Sequence, residues 1–220
     1  TLGSKESDVL INGLSNSMYL AVITVLIGMP LSVVTGYALA RYKIKFKNLI
    51  ISFILMTIVI PVFTTIIPIY SFFMEHSMLD SMLWTSVIFI SAFIPLNIWI
   101  IMNYFRELPE DLWEAAAIEG ANERQLFFQI GLPLAKPIIL TSSLVIFLMS
   151  WKQYIIPMLL LSSHNNKVLT LIMSEFMTRD AINYSVIAMS GIIVIIPPLL
   201  ASIIFRKNLV SGLTAGSVKE

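Results

Sequence analysis

The sequence predicts an all-α membrane protein that crosses the bilayer several times, and three observations support this fold class. The chain is 57% hydrophobic and 12% charged, with a mean hydropathy of +0.87, which lies outside the range of soluble domains. Its apolar residues form continuous runs that reach the roughly 20 residues needed to cross about 30 Å of hydrocarbon. These runs do not alternate in polarity, as the strands of a membrane barrel do.

Five apolar segments are long enough to be membrane-spanning helices. Each contains proline, which removes a backbone donor and favours a bend, so we expect breaks in all five spans and a bundle that curves around a pathway. The predicted spans are residues 17–40, 49–73, 83–104, 138–161 and 184–205.

Basic residues are concentrated in alternate connections between the spans. Arg41, Lys43, Lys45 and Lys47 crowd the first connection, and further basic residues lie in the central polar segment and after the last span. Because positive charge marks the cytoplasmic side, we predict a cytoplasmic C-terminus and, after five crossings, an external N-terminus. The first eight residues do not resemble a signal peptide, so we expect a further span upstream.

The polar segment 106–136 is predicted to form two short helices between the third and fourth spans. Pro109 suits the first helical position, and Gly120 can adopt the left-handed conformation that ends a helix. Asn122 and Gln125 have the spacing of a capping pair for the second helix, which we expect to reach Pro133.

The charge of this segment distinguishes between two interpretations. Helices that lie on a membrane surface are rich in Lys and Arg, because the cytoplasmic leaflet is anionic. Here acidic residues outnumber the basic residues Arg106 and Arg124 of the two helices, and the small run 115–117 permits close approach of a partner's backbone. We therefore favour docking to a soluble protein, which would transmit force to the membrane helices. The acidic residues are Glu107, Glu110, Asp111, Glu114, Glu119 and Glu123.

The same segment resembles the EAA loop of type I ABC importer permeases. It has Glu114, Ala115 and Ala116, then Gly120 after three residues, and Ile-Gly-Leu-Pro at 130–133 after nine more. Glu119 stands where the family usually has Asp, so the charge is kept. The closing sequence 209–219 resembles the smaller membrane subunit of maltose-type carbohydrate permeases, and the resemblance runs from about residue 12 to the end.

This resemblance implies the type I ABC importer permease fold, with five visible helices of an expected six. It divides the chain into an extracytoplasmic segment 1–11, a transmembrane domain 12–207 that includes the coupling loop 106–136, and a cytoplasmic tail 208–220. It also implies a multi-pass protein of the bacterial inner membrane.

The resemblance further implies a role for each part of the loop. The helix ending at Gly120 would be a coupling helix that docks on an ATPase, and Gly212 and Gly216 would reach the ATPase dimer interface. The implied partners are a second permease subunit, two ATP-binding cassette ATPase subunits and an extracytoplasmic solute-binding protein, with no nucleic acid. The residues assigned to ATPase coupling are Glu114, Ala115, Ala116, Glu119 and Gly120.

Residues 151–154 and Asn97 are candidates for the substrate pathway, because polar groups inside a span suggest a functional site. Two other interpretations remain open. Lys152 could extend to the membrane surface between aromatic belt residues, and Asn97 could bond a neighbouring helix. The family often has Asn and an acid at positions 152 and 153, where this chain differs. The candidates at 151–154 are Trp151, Lys152, Gln153 and Tyr154.

The chain is not expected to be an enzyme or to bind a cofactor. It has no cysteine, and His76 and His164 have no second ligand at useful spacing, so we expect no metal site. No glycine begins the phosphate-binding motif G-x-x-x-x-G-K-[ST], so Mg-ATP would bind to the partner ATPase.

We therefore predict the permease subunit of an ATP-driven importer for a carbohydrate, in which ATPase closure drives alternating access. Two alternatives are an ABC permease for a solute other than a sugar and a transporter driven by an ion gradient. The second would need carboxylates or histidine within its spans, or an inverted repeat, and the sequence has neither.

Overall fold

The computed structural model describes residues 4–178 and 184–214, and every regular element within these ranges is helical. Helices are favoured because a chain in hydrocarbon must satisfy its backbone hydrogen bonds internally. The elements are α1 (Ser4–Arg41), α2 (Lys47–Val59), α3 (Val62–Glu75), α4 (Met82–Glu107), α5 (Glu110–Ile118), α6 (Glu123–Gln125), a π-helical segment (Leu126–Gly131), α7 (Leu132–Trp151), α8 (Ile155–Leu160), α9 (Leu169–Thr178) and α10 (Tyr184–Thr214).

The predicted membrane bundle is confirmed, with one span in two pieces. Four stretches are long and apolar enough to cross a membrane, and there are five if α2 and α3, which are bent by 92° relative to each other, are counted as one span. The bend falls at Pro61, which has no N–H group to continue α2 and instead precedes the first residue of α3. Ile60 before it is extended, as a residue before proline prefers to be.

The expectation that proline breaks all five spans is wrong. Helices α1, α4 and α10 continue through their prolines, and only the second and fourth spans are interrupted. The predicted fourth span 138–161 ends early at Trp151 and resumes as α8.

The fourth span also begins earlier than predicted. A continuous helical stretch runs from Glu123 through the π-helical segment and into α7. The N–H of Leu132 bonds to the carbonyl of Phe127, five residues back. This wider turn accommodates Pro133 without a break, because the proline ring no longer meets a tightly wound preceding turn.

The inner part of the bundle consists of α1, α4 and α7, which pack against one another. Gly36 permits the close approach of α1 to α4. A Cβ atom added there would lie 2.8 Å from Cγ2 of Ile101 and 3.0 Å from the backbone nitrogen of Met102. Small residues at such crossings are how membrane helices pack closely. Helix α2, in contrast, has no buried residue over its length Lys47–Val59.

One end of the bundle is held by hydrogen bonds around Asp80, and we call it the Asp80 end. The carboxylate of Asp80 accepts the backbone N–H groups of Ser162 at 3.2 Å and Ser163 at 3.0 Å. Burial raises the pKa of this carboxyl, but the hydrogen bonds from Ser163, Asn166 and Ser162 outweigh burial and lower its pKa.

Helix α1 also binds a loop at the Asp80 end. The side-chain amide of Asn16 donates to the carbonyls of Asn165 at 2.7 Å and Lys167 at 2.9 Å. The hydroxyl of Ser17 accepts the N–H of Leu169 at 2.9 Å. The beginning of α1 is therefore attached to the connection between α8 and α9.

Candidate coupling site

Helix α5 lies at the other end of the bundle and is the predicted coupling helix. Pro109 occupies the N-cap position of α5, one residue before the first helical position that the sequence predicted for this proline. The carboxylates of Glu110 and Asp111 in the first turn interact favourably with the positive end of the helix dipole. Gly120 has φ of +88°, the left-handed conformation that the sequence predicted. A Cβ atom added there would meet no described atom within 4 Å, so the backbone conformation, not space within the chain, favours glycine.

The inner face of α5 is anchored by Trp113, which is 2% exposed. Its ring lies 6.0 Å from that of Tyr37, which in turn lies 5.1 Å from Phe105 and 4.9 Å from Phe127. We call these four rings the aromatic socket. A Cβ atom at Gly131 would be only 3.4 Å from the Trp113 ring, so this glycine lets the π-helical segment approach α5. The end of the bundle that contains the socket is called the Trp113 end.

The outer face of α5 carries acidic and small residues and one large apolar side chain. Leu112 and Ala116 accompany Trp113 on the inner side, whereas Ala117 and Gly120 are exposed. Ile118 is 86% exposed, although sequence reasoning gave it no role. The sequence could have indicated a role for Ile118, because a large apolar side chain stands there among exposed acidic and alanine residues. The exposed coupling candidates are Glu114, Ala115, Glu119 and Gly120.

Two side chains from the end of α1 and the loop after it reach the segment around α5. The guanidinium carbon of Arg41 lies 4.5 Å from the centre of the Trp113 ring, and its Nη1 atom is 3.2 Å from Oε2 of Glu110. The hydroxyl of Tyr42 donates to Oε2 of Glu123 at 2.7 Å. This hydrogen bond, together with burial, raises the pKa of Tyr42 to about 12, so the phenol remains a donor at neutral pH.

The second short helix begins as predicted. The N–H of Gln125 donates to Oδ1 of Asn122 at 3.0 Å, and the N–H of Asn122 donates to Oε1 of Gln125 at 2.8 Å. This reciprocal capping box satisfies two backbone donors at the helix start. Of the two glycines predicted to reach the ATPase interface, Gly212 lies near the end of α10, and Gly216 lies outside the described residues.

The predicted pathway residues are not brought to one place. Asn97 is fully buried within α4, and its amide nitrogen donates to the carbonyl of Phe93 in the same helix at 2.9 Å. Its Oδ1 atom has no hydrogen-bond partner among the described residues. Trp151 and Lys152 line a cavity of about 460 Å³ between α7, α9 and α10, which Asn97 does not reach.

Trp151 bonds to a carbonyl of α10 that a proline in α10 leaves without its usual donor. Its indole N–H donates to the carbonyl of Val194 at 3.1 Å. Pro198, four residues after Val194, has no N–H to offer that carbonyl, so the indole replaces the missing donor. Gln153 accepts the N–H of Tyr154 at 3.1 Å, and the Tyr154 hydroxyl lies 3.3 Å from that of Ser174.

A second cavity of about 380 Å³ lies where α2 bends into α3. Its wall is apolar apart from hydroxyl groups, and two of these donate to their own helices: Thr57 to Ile54 at 2.7 Å and Ser91 to Ile88 at 2.8 Å. Their oxygen lone pairs remain available as acceptors. These hydroxyl-bearing residues were not among those predicted for the substrate pathway. The hydroxyls of the wall belong to Thr57, Thr65 and Ser91.

Within the part of the chain that the structure describes, no group of three His, Cys, Asp or Glu residues could hold a metal ion. The site consists of an exposed acidic helix on a buried aromatic base, attached to a bundle of helices that are long and apolar enough to cross a membrane. This combination defines the class as a multi-pass membrane subunit of a transporter.

Residues 12–214 match the family described as "binding-protein-dependent transport system inner membrane component", and the chain belongs to this family. It is 28% identical to the arabinooligosaccharides transport system permease protein AraQ of Halalkalibacterium halodurans, over 93% of this chain and 72% of that protein. It is also 28% identical to the trehalose transport system permease protein SugB of Mycobacterium tuberculosis, over 99% of this chain and 80% of that protein.

Solved structures have the same fold. A bacterial ABC transporter that imports the acidic polysaccharide alginate aligns with a TM-score of 0.69 at 20% identity, over 96% of this chain and 76% of that one. The methionine ABC transporter MetNI, in inward-facing conformations, aligns with a TM-score of 0.77 at 14% identity, over 96% and 99%. The type I ABC importer permease fold predicted from the EAA loop is confirmed.

Proposed function

We propose that this chain is the permease subunit of an ATP-driven carbohydrate importer and that α5 converts closure of a partner ATPase into alternating access. The single observation that carries this proposal is the two-sided character of α5. Its inner face is fixed to the bundle by Trp113, and its outer face presents Glu114, Ala115 and Ile118 to a partner. A helix so arranged can receive a push on one side and pass it to the membrane helices on the other.

The geometry refines the part that each coupling residue plays. Glu114 and Glu119 offer carboxylates to the ATPase, and Ala115 allows its surface to approach the helix backbone. Ile118 supplies an apolar side chain for a cleft. Ala116 is half-buried and packs toward the aromatic socket, so its small size serves contact with the bundle.

The orientation of the protein is part of the same proposal. Arg41 contacts Trp113, so the basic connection 41–47 and helix α5 share one end of the bundle. Positive charge favours the cytoplasmic side, and this supports a cytoplasmic Trp113 end. Helix α10 runs antiparallel to α7, because Val194 lies beside Trp151 and Leu200 beside Leu144. Its C-terminus therefore heads toward the Trp113 end, which supports a tail containing Gly212 and Gly216 close to the ATPase.

The partners follow from the family and its mechanism. A second permease subunit would complete the pathway, two ATPase subunits would bind and hydrolyse Mg-ATP, and a solute-binding protein would deliver the solute at the Asp80 end. Apolar surfaces such as that of α2 suit a second permease or lipid. This chain would itself bind no nucleotide and catalyse no reaction.

The carbohydrate assignment is supported by relatives named for arabino-oligosaccharide and trehalose transport. The fold does not choose the solute, because it is shared with a methionine importer. Hydroxyl-bearing cavity walls suit a polyhydroxylated solute, which exchanges hydrogen bonds with them. Among the predicted pathway residues, we retain Lys152 and Tyr154 as contacts near the Asp80 end and Asn97 as a buried polar group within the bundle.

A charge reversal on α5 tests the proposal. We expect the wild-type chain, purified from its own membrane, to bring an ATPase subunit with it, and Glu114→Arg to reduce the bound ATPase by at least about fivefold, the lower end of typical coupling effects. The matched control is Glu75→Arg, which reverses an exposed glutamate at the end of α3. Co-purification without an ATPase, or equal ATPase binding by both variants, would contradict the coupling role.

The transported solute needs a separate measurement. Proteoliposomes that contain the complete transporter and its binding protein are supplied with labelled trehalose, an arabino-oligosaccharide and methionine. We expect ATP-dependent uptake of a carbohydrate and none of methionine. If only methionine were taken up, the assignment as an ABC permease would stand and the assignment of a carbohydrate as its solute would be rejected.

A further inference from the structure

Arg41 and Tyr42 contact the segment of α5 and α6 at two points, the first residue of α5 and the first residue of α6. Arg41 pairs with Glu110, the first residue of α5, and Tyr42 bonds to Glu123, just beyond the turn that ends it. We propose that these two residues are positioning residues that tie α1 to the coupling helix, so that the two move as one unit during transport. This inference rests on the proposed function.

The Arg41 contact depends more on stacking of its guanidinium over the Trp113 ring than on the ion pair with Glu110. Glu110 is largely exposed, and ion pairs between exposed groups contribute little. The Arg41 side chain is only 23% exposed, because its guanidinium lies over the buried Trp113 ring. Arginine suits this position because its planar cation can stack on an aromatic face and bind a carboxylate in the same pose, whereas the lysine ammonium cannot do both as well.

The hydrogen bond from Tyr42 to Glu123 prevents rotation of α5 about the Arg41 contact. A helix held at one point can pivot, and α5 is connected to the bundle through Trp113 near its middle. Tyr42 adds a fixed point beyond Gly120, where its hydroxyl donates to Oε2 of Glu123 at 2.7 Å. With Arg41 and Tyr42 adjacent in the chain, a push on the exposed face of α5 reaches the C-terminal end of α1 through both contacts.

Helix α1 extends this connection to the opposite end of the bundle. It is a single helix of 38 residues, and Gly36 allows it to pack closely on α4 near the Trp113 end. In the N-terminal half of α1, Asn16 and Ser17 bond to the loop before α9 and to the first residue of α9. A continuous series of contacts therefore runs from α5 along α1 to the Asp80 end, where a solute would enter, and a rigid helix is a physical means of carrying such a displacement.

The experiment measures ATP hydrolysed per solute transported by the complete transporter in liposomes. We expect the double variant Arg41→Gln with Tyr42→Phe to raise this ratio by at least about fivefold, while its bound ATPase stays at the wild-type amount. Arg41→Lys alone should raise the ratio as well, since it keeps the charge but loses the stacked fork. The matched control is Lys43→Gln, which removes an exposed basic charge from the same loop and should leave the ratio unchanged.

A distance measurement tests the tie without depending on transport. The chain contains no cysteine, so Lys43→Cys and Asp111→Cys can carry a pair of spin labels at exposed positions. We expect their separation to change by less than about 2 Å between the nucleotide-free and ATP-bound transporter, and by more when Arg41→Gln and Tyr42→Phe are added. A larger change in the otherwise wild-type protein would overturn the inference.

The coupling role of α5 and the connection of α5 to α1 can be rejected separately. If the chain binds no ATPase, both the proposed function and the tie are rejected. If it binds an ATPase and Glu114→Arg releases it, but the Arg41 and Tyr42 double variant keeps the wild-type ratio, the tie alone is rejected.

Discussion

At the Trp113 end of the bundle, the coupling helix is held by buried aromatic rings, whereas at the Asp80 end the loops are held by hydrogen bonds to backbone groups. The acidic side chains of α5 remain exposed, but the carboxylate of Asp80 is occupied by Ser162 and Ser163. The carboxylates of Glu114 and Glu119 are thus exposed on the outer face of α5, whereas the carboxylate of Asp80 bonds to backbone groups of its own chain. This is expected if the first end meets a partner that pushes it and the second must keep its loops in place.

The two kinds of attachment also differ in what each tolerates. The rings of the aromatic socket pack edge to face with centroids 4.9–6.0 Å apart, and most of their energy comes from buried area, which changes little with a small displacement. Hydrogen bonds from a carboxylate to backbone N–H groups weaken steeply with distance and angle. The Trp113 end is thus suited to small displacements that preserve contact, and the Asp80 end to holding one arrangement until its bonds break.

Removal of the aromatic anchor should have the largest effect. Trp113→Ala deletes a ring that is 2% exposed, and truncations of this type cost about 3–5 kcal/mol. We expect a lower temperature of unfolding and loss of transport. The matched control is Trp84→Ala, which removes a ring that is 37% exposed near the Asp80 end. If Trp113→Ala were no more destabilising than the control, the aromatic socket would not be what holds α5.

Removal of the Asp80 carboxylate should have a smaller and more local effect. Asp80→Ala leaves the N–H groups of Ser162 and Ser163 without their acceptor, at a cost of about 1–3 kcal/mol. The backbone of Asp80 has φ of +58°, which alanine adopts poorly and asparagine adopts better.

Hydrogen exchange provides the measurement at this end. We expect the amides of Ser162 and Ser163 to exchange faster in Asp80→Ala than in Asp80→Asn, with the amides of α5 unchanged in both. Equal protection in wild type and Asp80→Ala would show that the carboxylate does not hold the loop.

The sequence predicted the features that depend on neighbouring residues. Hydrophobic runs located the spans, the capping box at Asn122 and Gln125 was visible from spacing, and the left-handed Gly120 followed from its place after an alanine-rich helix. Each of these depends on a few adjacent positions, so periodicity and backbone preference are sufficient to find it.

The sequence did not predict contacts between distant segments. Arg41 was counted only as a basic loop residue, because nothing in the loop indicates that it stacks on Trp113. Trp151 was treated as a pathway candidate, since the carbonyl that binds it is freed by Pro198 in another span. Helix continuity across Pro133 was also missed, because the wider π-helical turn that permits it has no distinct sequence pattern.

The smallest expected effects come from pH, and they act on the two ends in opposite directions. The folded pKa of Asp80 lies below its ordinary value of 3.8, so its contribution to stability is complete above that value and is lost as the pH falls through the folded pKa. The folded pKa of Tyr42 is about 12, above its ordinary value of 10.0. Its contribution is therefore complete below pH 10.0 and is lost as the pH rises through about 12.

Acid should consequently loosen the Asp80 end, and strong alkali should release the contact between Tyr42 and Glu123. The chemical shift of the labelled Asp80 carboxyl reports the first change, which Asp80→Asn removes. Phenolate absorbance reports the second, and Tyr42→Phe should delete a tyrosine that ionises near pH 12. If Tyr42 ionised at the ordinary value, its bond to Glu123 would not exist in the folded protein, and the Trp113 end would be attached to α1 through Arg41 and the aromatic rings alone.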